Sequence, residues 1–247
     1  MIKCDAACSV CSAEPSREKA LMRVPGVCNG GDDDDDDNEI VSHILEEKIN
    51  VSLDPDTAHP NLILSEDRRR VTWEEKPRDL PDDPQRFVSL PCVLGQQVIS
   101  SGRRYWEVEV GDIGAWDLGI CRDNVMRKGR VFLKPQDGFW AIRLYNNEYW
   151  ALTSPETQLT PKKHPARVCI FLEYEDRRIS FYNMTDKFHI HTFNQCLFYG
   201  SLRPFFRLWS ADSGHLTICP VSETAQPDDD PHRVPTPVLG TSYNLPD

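Results

Sequence analysis

From residue 51 to residue 221 the sequence divides into short runs rich in β-branched and aromatic residues, separated by turn residues. Tyr105-Trp-Glu-Val-Glu-Val110 alternates strictly. Trp106, Val108 and Val110 share one face, and Tyr105, Glu107 and Glu109 share the other, which is the period of a half-buried strand. Residues 167–172, Arg-Val-Cys-Ile-Phe-Leu, are apolar on both faces, as expected of a strand covered on each side. Residues 178–182 then pair back across 173–177 as a hairpin. Further strands are expected at 62–64, 117–121, 138–144, 148–152, 204–208 and 216–219. Many short strands with almost no helical period specify an all-β fold, a two-sheet antiparallel β-sandwich.

The aromatic anchors limit this fold to one core. The six tryptophans lie between Trp73 and Trp209, and the phenylalanines lie within the same block. The sequence outside that block reads differently. Residues 1–38 carry Cys, Gly, Pro and Ser without a period and end in six consecutive aspartates, Asp32 to Asp37, which repel one another; a disordered leader is expected there. Ile40, Val41, Ile44, Leu45 and Ile49 recur at helical spacing, so a short amphipathic helix is expected over 39–49, docked on the sandwich. The domain proper is expected over 50–221. The Pro- and Asp-rich residues 222–247 lack the apolar side chains needed to fold, and a disordered tail is expected.

Charge narrows the function classes. The formal net charge is −11. The first 45 residues hold four Lys/Arg against ten Asp/Glu, and residues 221–247 hold one against five. The middle is close to neutral, with no broad basic face for phosphate backbones, which argues against nucleic acid as a partner. The sequence shows no secretory start with a cleavage site, and its apolar runs fall far short of the roughly 20 residues a membrane helix needs. The expected compartment is the cytoplasm or, for a fragment, the cytosolic side of a membrane protein.

Reactive chemistry finds little support. Cys4, Cys8, Cys11 and Cys28 raise the question of a zinc site, but a RING needs eight ligands and no histidine lies near these four. No metal or cofactor is expected. Cys92, Cys121, Cys169, Cys196 and Cys219 sit in or beside expected strands and fit core packing. The histidines are scattered, and there is neither a nucleophile elbow nor a phosphate-cradling glycine loop. The chain reads as a non-enzyme.

Several of these runs also carry a family likeness. Val51-Ser-Leu-Asp-Pro-Asp-Thr-Ala-His-Pro60, Leu64-Ser-Glu-Asp67, Asp79-Leu-Pro-Asp-Asp-Pro84 and Arg86-Phe87 resemble the PRY segment of butyrophilins and tripartite-motif proteins. Ser101-Gly-Arg-Arg-Tyr-Trp-Glu-Val-Glu-Val110, Trp116-Asp-Leu-Gly-Ile-Cys121, Gly138-Phe-Trp140, Phe171-Leu-Glu-Tyr174, Ile179-Ser-Phe-Tyr-Asn183 and Leu202-Arg-Pro-Phe-Phe206 resemble the SPRY motifs that follow. The resemblance implies a B30.2 domain with PRY over about 50–100 and SPRY over about 101–221. Within the family, Phe139-Trp-Ala-Ile-Arg-Leu144 and Glu148-Tyr-Trp-Ala-Leu-Thr-Ser154 are most like subfamily 1 of the butyrophilins, the milk-fat kind.

The family likeness implies a protein-interaction module, with loops at one end of the sandwich lining a shallow pocket. Roles in immune regulation or milk-fat secretion follow by family resemblance, as does xanthine oxidoreductase as a protein ligand. Carried onto this sequence, the binding residues are Arg68, Arg70, Trp73, Trp116, Asp117, Arg127, Tyr145, Tyr149, Trp209 and Asp212. Trp, Tyr and Arg lead because they often dominate binding energy. Trp116 and Trp150 also fit a core, and for Trp150 the core is the preferred place. Two alternatives stand beside this reading. One is a sensor of phosphorylated metabolites, as some butyrophilins are, which Asp117 would oppose and Arg122, Arg127, Lys128 and Arg130 would favour. The other is the substrate-recognition part of a tripartite-motif ubiquitin ligase.

Overall fold

The computed structural model describes residues 48–111, 114–210 and 214–221. In chain order its strands are β1 (Leu62–Leu64), β2 (Arg70–Trp73), β3 (Cys92–Leu94), β4 (Arg103–Glu109), β5 (Trp116–Arg122), β6 (Phe139–Tyr145), β7 (Glu148–Ala151), β8 (Thr157–Leu159), β9 (Arg167–Glu173), β10 (Arg178–Asn183), β11 (Phe188–Phe193), β12 (Leu202–Leu208) and β13 (His215–Ile218). They form a seven-stranded sheet in the order β1-β2-β13-β4-β9-β10-β11 and a six-stranded sheet in the order β3-β12-β5-β6-β7-β8. Neighbouring strands in both sheets run antiparallel, which is the two-sheet sandwich the alternation specifies.

The principal core fills the space between the sheets. From the seven-stranded sheet come Trp106, Val108, Val168, Ile170, Leu172, Ile179 and Phe181; from the other come Trp116, Leu118, Ile120, Trp140, Ile142 and Phe206. Each set follows the two-residue period of its strand. Gly119 sits at the centre of β5 because β6 passes close by: a Cβ there would collide with the Trp140 carbonyl. A second cluster, Phe87, Cys92, Leu94, Cys121, Phe139 and Phe205, lies on the outer face of the six-stranded sheet, and Leu90, Val131 and Leu133 close over it. Cys92, Cys121, Cys169, Cys196 and Cys219 are free thiols and all are buried.

Four strands escaped the sequence reading. β2 was expected as a binding loop, but Arg70-Val-Thr-Trp73 pairs on both sides, with β1 and β13. β3 and β8 are three residues each, too short to show a period. β11 is an edge strand whose register shifts opposite Phe181 and Tyr182, and this bulge breaks its alternation. At the other end of the domain, residues 39–47 of the expected helix lie outside the described residues, as do the leader and the tail. Its expected last two residues are extended instead: Lys48 bridges Tyr105 in parallel, and the Ile49 amide donates to the Tyr105 carbonyl at 2.9 Å.

Candidate binding surface

Along β5 the pleat sends successive side chains to opposite sides of the sheet. Trp116 therefore points into the core and Asp117 points out. Strand register then sets the neighbours of each. On the inner side, Trp116 lies opposite Leu208 and Leu144, and Leu144 lies opposite Tyr149. On the outer side, one row crosses the sheet through Cys92, Arg207, Asp117, Arg143 and Trp150.

Asp117 is completely enclosed in this outer row. Arg143 donates to it in fork fashion, Nε to Oδ1 at 2.9 Å and Nη2 to Oδ2 at 3.2 Å. Arg207 Nη1 donates to Oδ2 at 3.1 Å, and the indole Nε1 of Trp209 donates to Oδ1 at 3.1 Å. A carboxylate has about four acceptor sites, so these four donors saturate it. Burial works against the charge of Arg143, yet its bonds to Asp117, with help from Glu156, outweigh that and hold its pKa above the ordinary arginine value. The ion cluster is a fixed platform because every charge in it has a partner of opposite sign.

Aromatic rings stand on this platform. The guanidinium carbons of Arg207 and Arg143 lie 3.9 and 4.9 Å from the Trp209 ring centre. Tyr145 packs on the same indole with ring centres 4.6 Å apart. Tyr145 ends β6 at the Asn146-Asn147 turn, where both asparagines have positive φ, and it remains 41% exposed. Positive φ at two successive positions marks the tight hairpin turn that asparagine tolerates. Beside the platform opens a cleft of about 380 Å3 lined by apolar residues of 131–133 and by Lys134, Arg143, Glu156 and Arg207.

Of the residues the sequence analysis named, the structure brings together Asp117, Tyr145 and Trp209. Three others are corrected. Trp116 is fully buried, with its ring edge-on to Tyr149 at 6.2 Å. Tyr149 is buried too, its hydroxyl 3.0 Å from His164 Nδ1 and its pKa pushed by burial up to about 12. Arg127 is a buried strut: it donates to the Gln85 carbonyl and side chain, each at 2.7 Å, and to the Asp123 carbonyl at 2.6 Å. Asp117 keeps its place as an enclosed carboxylate whose charge is paired with Arg143 and Arg207.

The remaining residues fall elsewhere. Arg68 is at the β1–β2 turn with positive φ, Arg70 is exposed on β2, and Trp73 is half-buried against His59. Arg70 and Trp73 belong to the seven-stranded sheet, whereas Tyr145 is in β6 of the six-stranded sheet and Trp209 follows β12 of that sheet. Asp212 lies outside the described residues. Trp150, expected in the core, is half-buried on the outer face beside Arg143. The sequence reading missed Arg143 and Arg207 as site residues. Their signal was present: Arg143 is the sole charged residue of β6, and Arg207 interrupts the apolar run Pro204-Phe-Phe206 before Leu208 in β12.

Comparison with known proteins agrees with this architecture. Residues 103–220 match the SPRY domain and residues 51–99 match the SPRY-associated domain, PRY. Butyrophilin subfamily 1 member A1 of Bos taurus is 54% identical over 175 residues, covering 71% of this chain and 33% of that protein. Zinc finger protein RFP of Homo sapiens is 49% identical over 178 residues, 70% of this chain and 35% of that protein. The chain thus spans about a third of the length of the curated relatives it matches. The TRIM65 PSpry domain superposes with a TM-score of 0.64 at 21% identity, covering 79% of this chain and 99% of that domain, which bears on the fold alone.

Proposed function

The chain belongs to the family of SPRY domains preceded by PRY, of butyrophilin and tripartite-motif type, and from that premise we propose that it is a non-catalytic module that binds a partner protein through the Trp209–Tyr145 surface. One observation carries this reading: two aromatic rings are held at the surface by a saturated ion cluster whose members come from β5, β6 and β12. Such preorganisation lowers the entropy cost of binding, and large rigid aromatics beside arginines are typical interface anchors.

A partner of the milk-fat butyrophilins, such as xanthine oxidoreductase, is the first protein ligand to try. The second reading is the substrate-recognition part of a tripartite-motif ligase, which the similarity to zinc finger protein RFP supports. The decisive experiment is affinity capture with the wild type and a Trp209→Ala/Tyr145→Ala double variant whose melting curve matches the wild type. Loss of specific partners from the double variant supports the surface. An unchanged partner list sinks it.

A further inference from the structure

The cleft beside Trp209 has an unusual charge arrangement. Arg143 gives two hydrogen bonds to Asp117 and a third, from Nη1, to Glu156 at 3.1 Å. Glu156, unlike Asp117, has a half-exposed side chain, at 49%. Arg207 gives Asp117 one hydrogen bond, and its Nε is enclosed without a partner. Lys134 completes the cationic rim, 3.8 Å from Asp137. Against these charges stands an apolar wall: Phe132 is 48% exposed, with Val131 and Leu133 beside it, and the Arg130 guanidinium lies 4.9 Å from its ring centre.

We propose that this cleft receives a carboxylate carried next to an apolar side chain, and that Glu156 occupies the carboxylate position as an intramolecular stand-in until the ligand displaces it. The inference rests on the recognition surface assigned above and names the chemistry of one of its subsites. Three facts support it. Asp117 is enclosed and its charge is offset by two arginines, Arg143 and Arg207, so the pair of guanidiniums outweighs it toward an incoming anion. Glu156 holds Arg143 through an ion pair whose carboxylate is half exposed, so an incoming carboxylate can exchange with it. The apolar wall adds burial that Glu156, anchored in its own chain, does not use, which gives an external carboxylate with an apolar neighbour the advantage.

The carboxylate could be a chain terminus or an acidic side chain, and small probes separate the two. Isotope-labelled protein is titrated with N-acetyl-leucine, with N-acetyl-leucyl-glutamic acid α-amide, whose side-chain carboxylate is free, with N-acetyl-leucinamide and with inorganic phosphate. The Nε–H signals of Arg143 and Arg207 and the indole N–H of Trp209 are followed. At least one of the two acids shifts these signals saturably, and which one does so identifies the source; the neutral amide does not. Glu156→Gln tightens that acid roughly two- to five-fold by removing the stand-in, the size expected of an exposed pair. Lys134→Ala weakens it by a similar factor. Failure of both acids to bind, equal binding of the neutral amide, no effect of Glu156→Gln, or tighter binding of phosphate each overturns the proposal. If acid binding holds while the Trp209→Ala/Tyr145→Ala variant keeps its partners, the broader recognition surface fails and the cleft stands. Partner loss without acid binding is the reverse case.

Discussion

Trp116 and Trp209 lie at the same end of the six-stranded sheet and on opposite sides of it. Trp116 begins β5 opposite Leu208, the residue just before Trp209. One is sealed among Leu144, Leu208 and Tyr149. The other rests on Arg143, Arg207 and Asp117 with Tyr145 against it. Residue type alone would give both the same role. Strand parity separates them, because a step of one residue moves a side chain through the sheet. The inner pair, Trp116 and Tyr149, is buried in the core; the outer pair, Trp209 and Tyr145, stands on the outer face of the sheet.

Truncating the inner member should have the largest effect. Trp116→Ala is expected to lower unfolding free energy by about 3–5 kcal/mol through lost burial and a residual cavity. Tyr145→Ala should change it by no more than about 0.5 kcal/mol, as for an ordinary surface site. Urea denaturation of the two variants checks the contrast, and equal losses would abolish the distinction between the two sides. Next comes the platform itself. Asp117→Ala removes the enclosed counter-charge that Arg143 and Arg207 share and leaves Arg143 only the half-exposed Glu156, for which a loss of about 3 kcal/mol or more is expected. A near-wild-type denaturation midpoint would mean that the arginines reach water when the carboxylate is gone.

A smaller energy concerns the outer side alone. Trp209→Ala is expected to cost about 2 kcal/mol of binding to a captured partner, the scale of an interface anchor, with little effect on folding. Titration calorimetry on the folded variant measures it. The smallest signal comes from the thiols. Burial pushes the pKa of Cys121 up to about 12 from an ordinary 9.0, so at pH 8 the folded protein keeps it protonated and unreactive. Iodoacetamide at pH 8 should leave Cys121 unlabelled in the native state and label it in urea. Because the folded pKa is raised, this thiol's contribution to stability is complete below pH 9 and is lost as the pH rises toward 12.

Much of this contrast was legible in the sequence and some was not. Alternation in 105–110 and the double-sided apolar run 167–172 were enough to place β4 and β9 and their inward faces. Trp209 and Tyr145 were identifiable as aromatic residues near turns. The same reasoning placed Trp116 and Asp117 in one pocket, although adjacent residues of an extended strand cannot share a face. It also counted Arg127 as an exposed anchor, whereas its donors hold the 85 and 123 carbonyls together. A charged residue in a loop looks alike to the sequence whether it faces a partner or its own backbone.

The sequence by itself determined the period-two strands, their number within a few, the antiparallel sandwich and the family. Those properties are local, since each depends on which side chains fall on one face of a single strand. Only the tertiary structure decided which outward residues become neighbours. Asp117 meets Arg143 from 26 residues away and Arg207 from 90 residues away. The strand order β12-β5-β6 produces that meeting. Register across non-consecutive strands is set by the packing of the whole sandwich, so the saturated aspartate, and the ring it holds at the surface, exist only once the sheet is assembled.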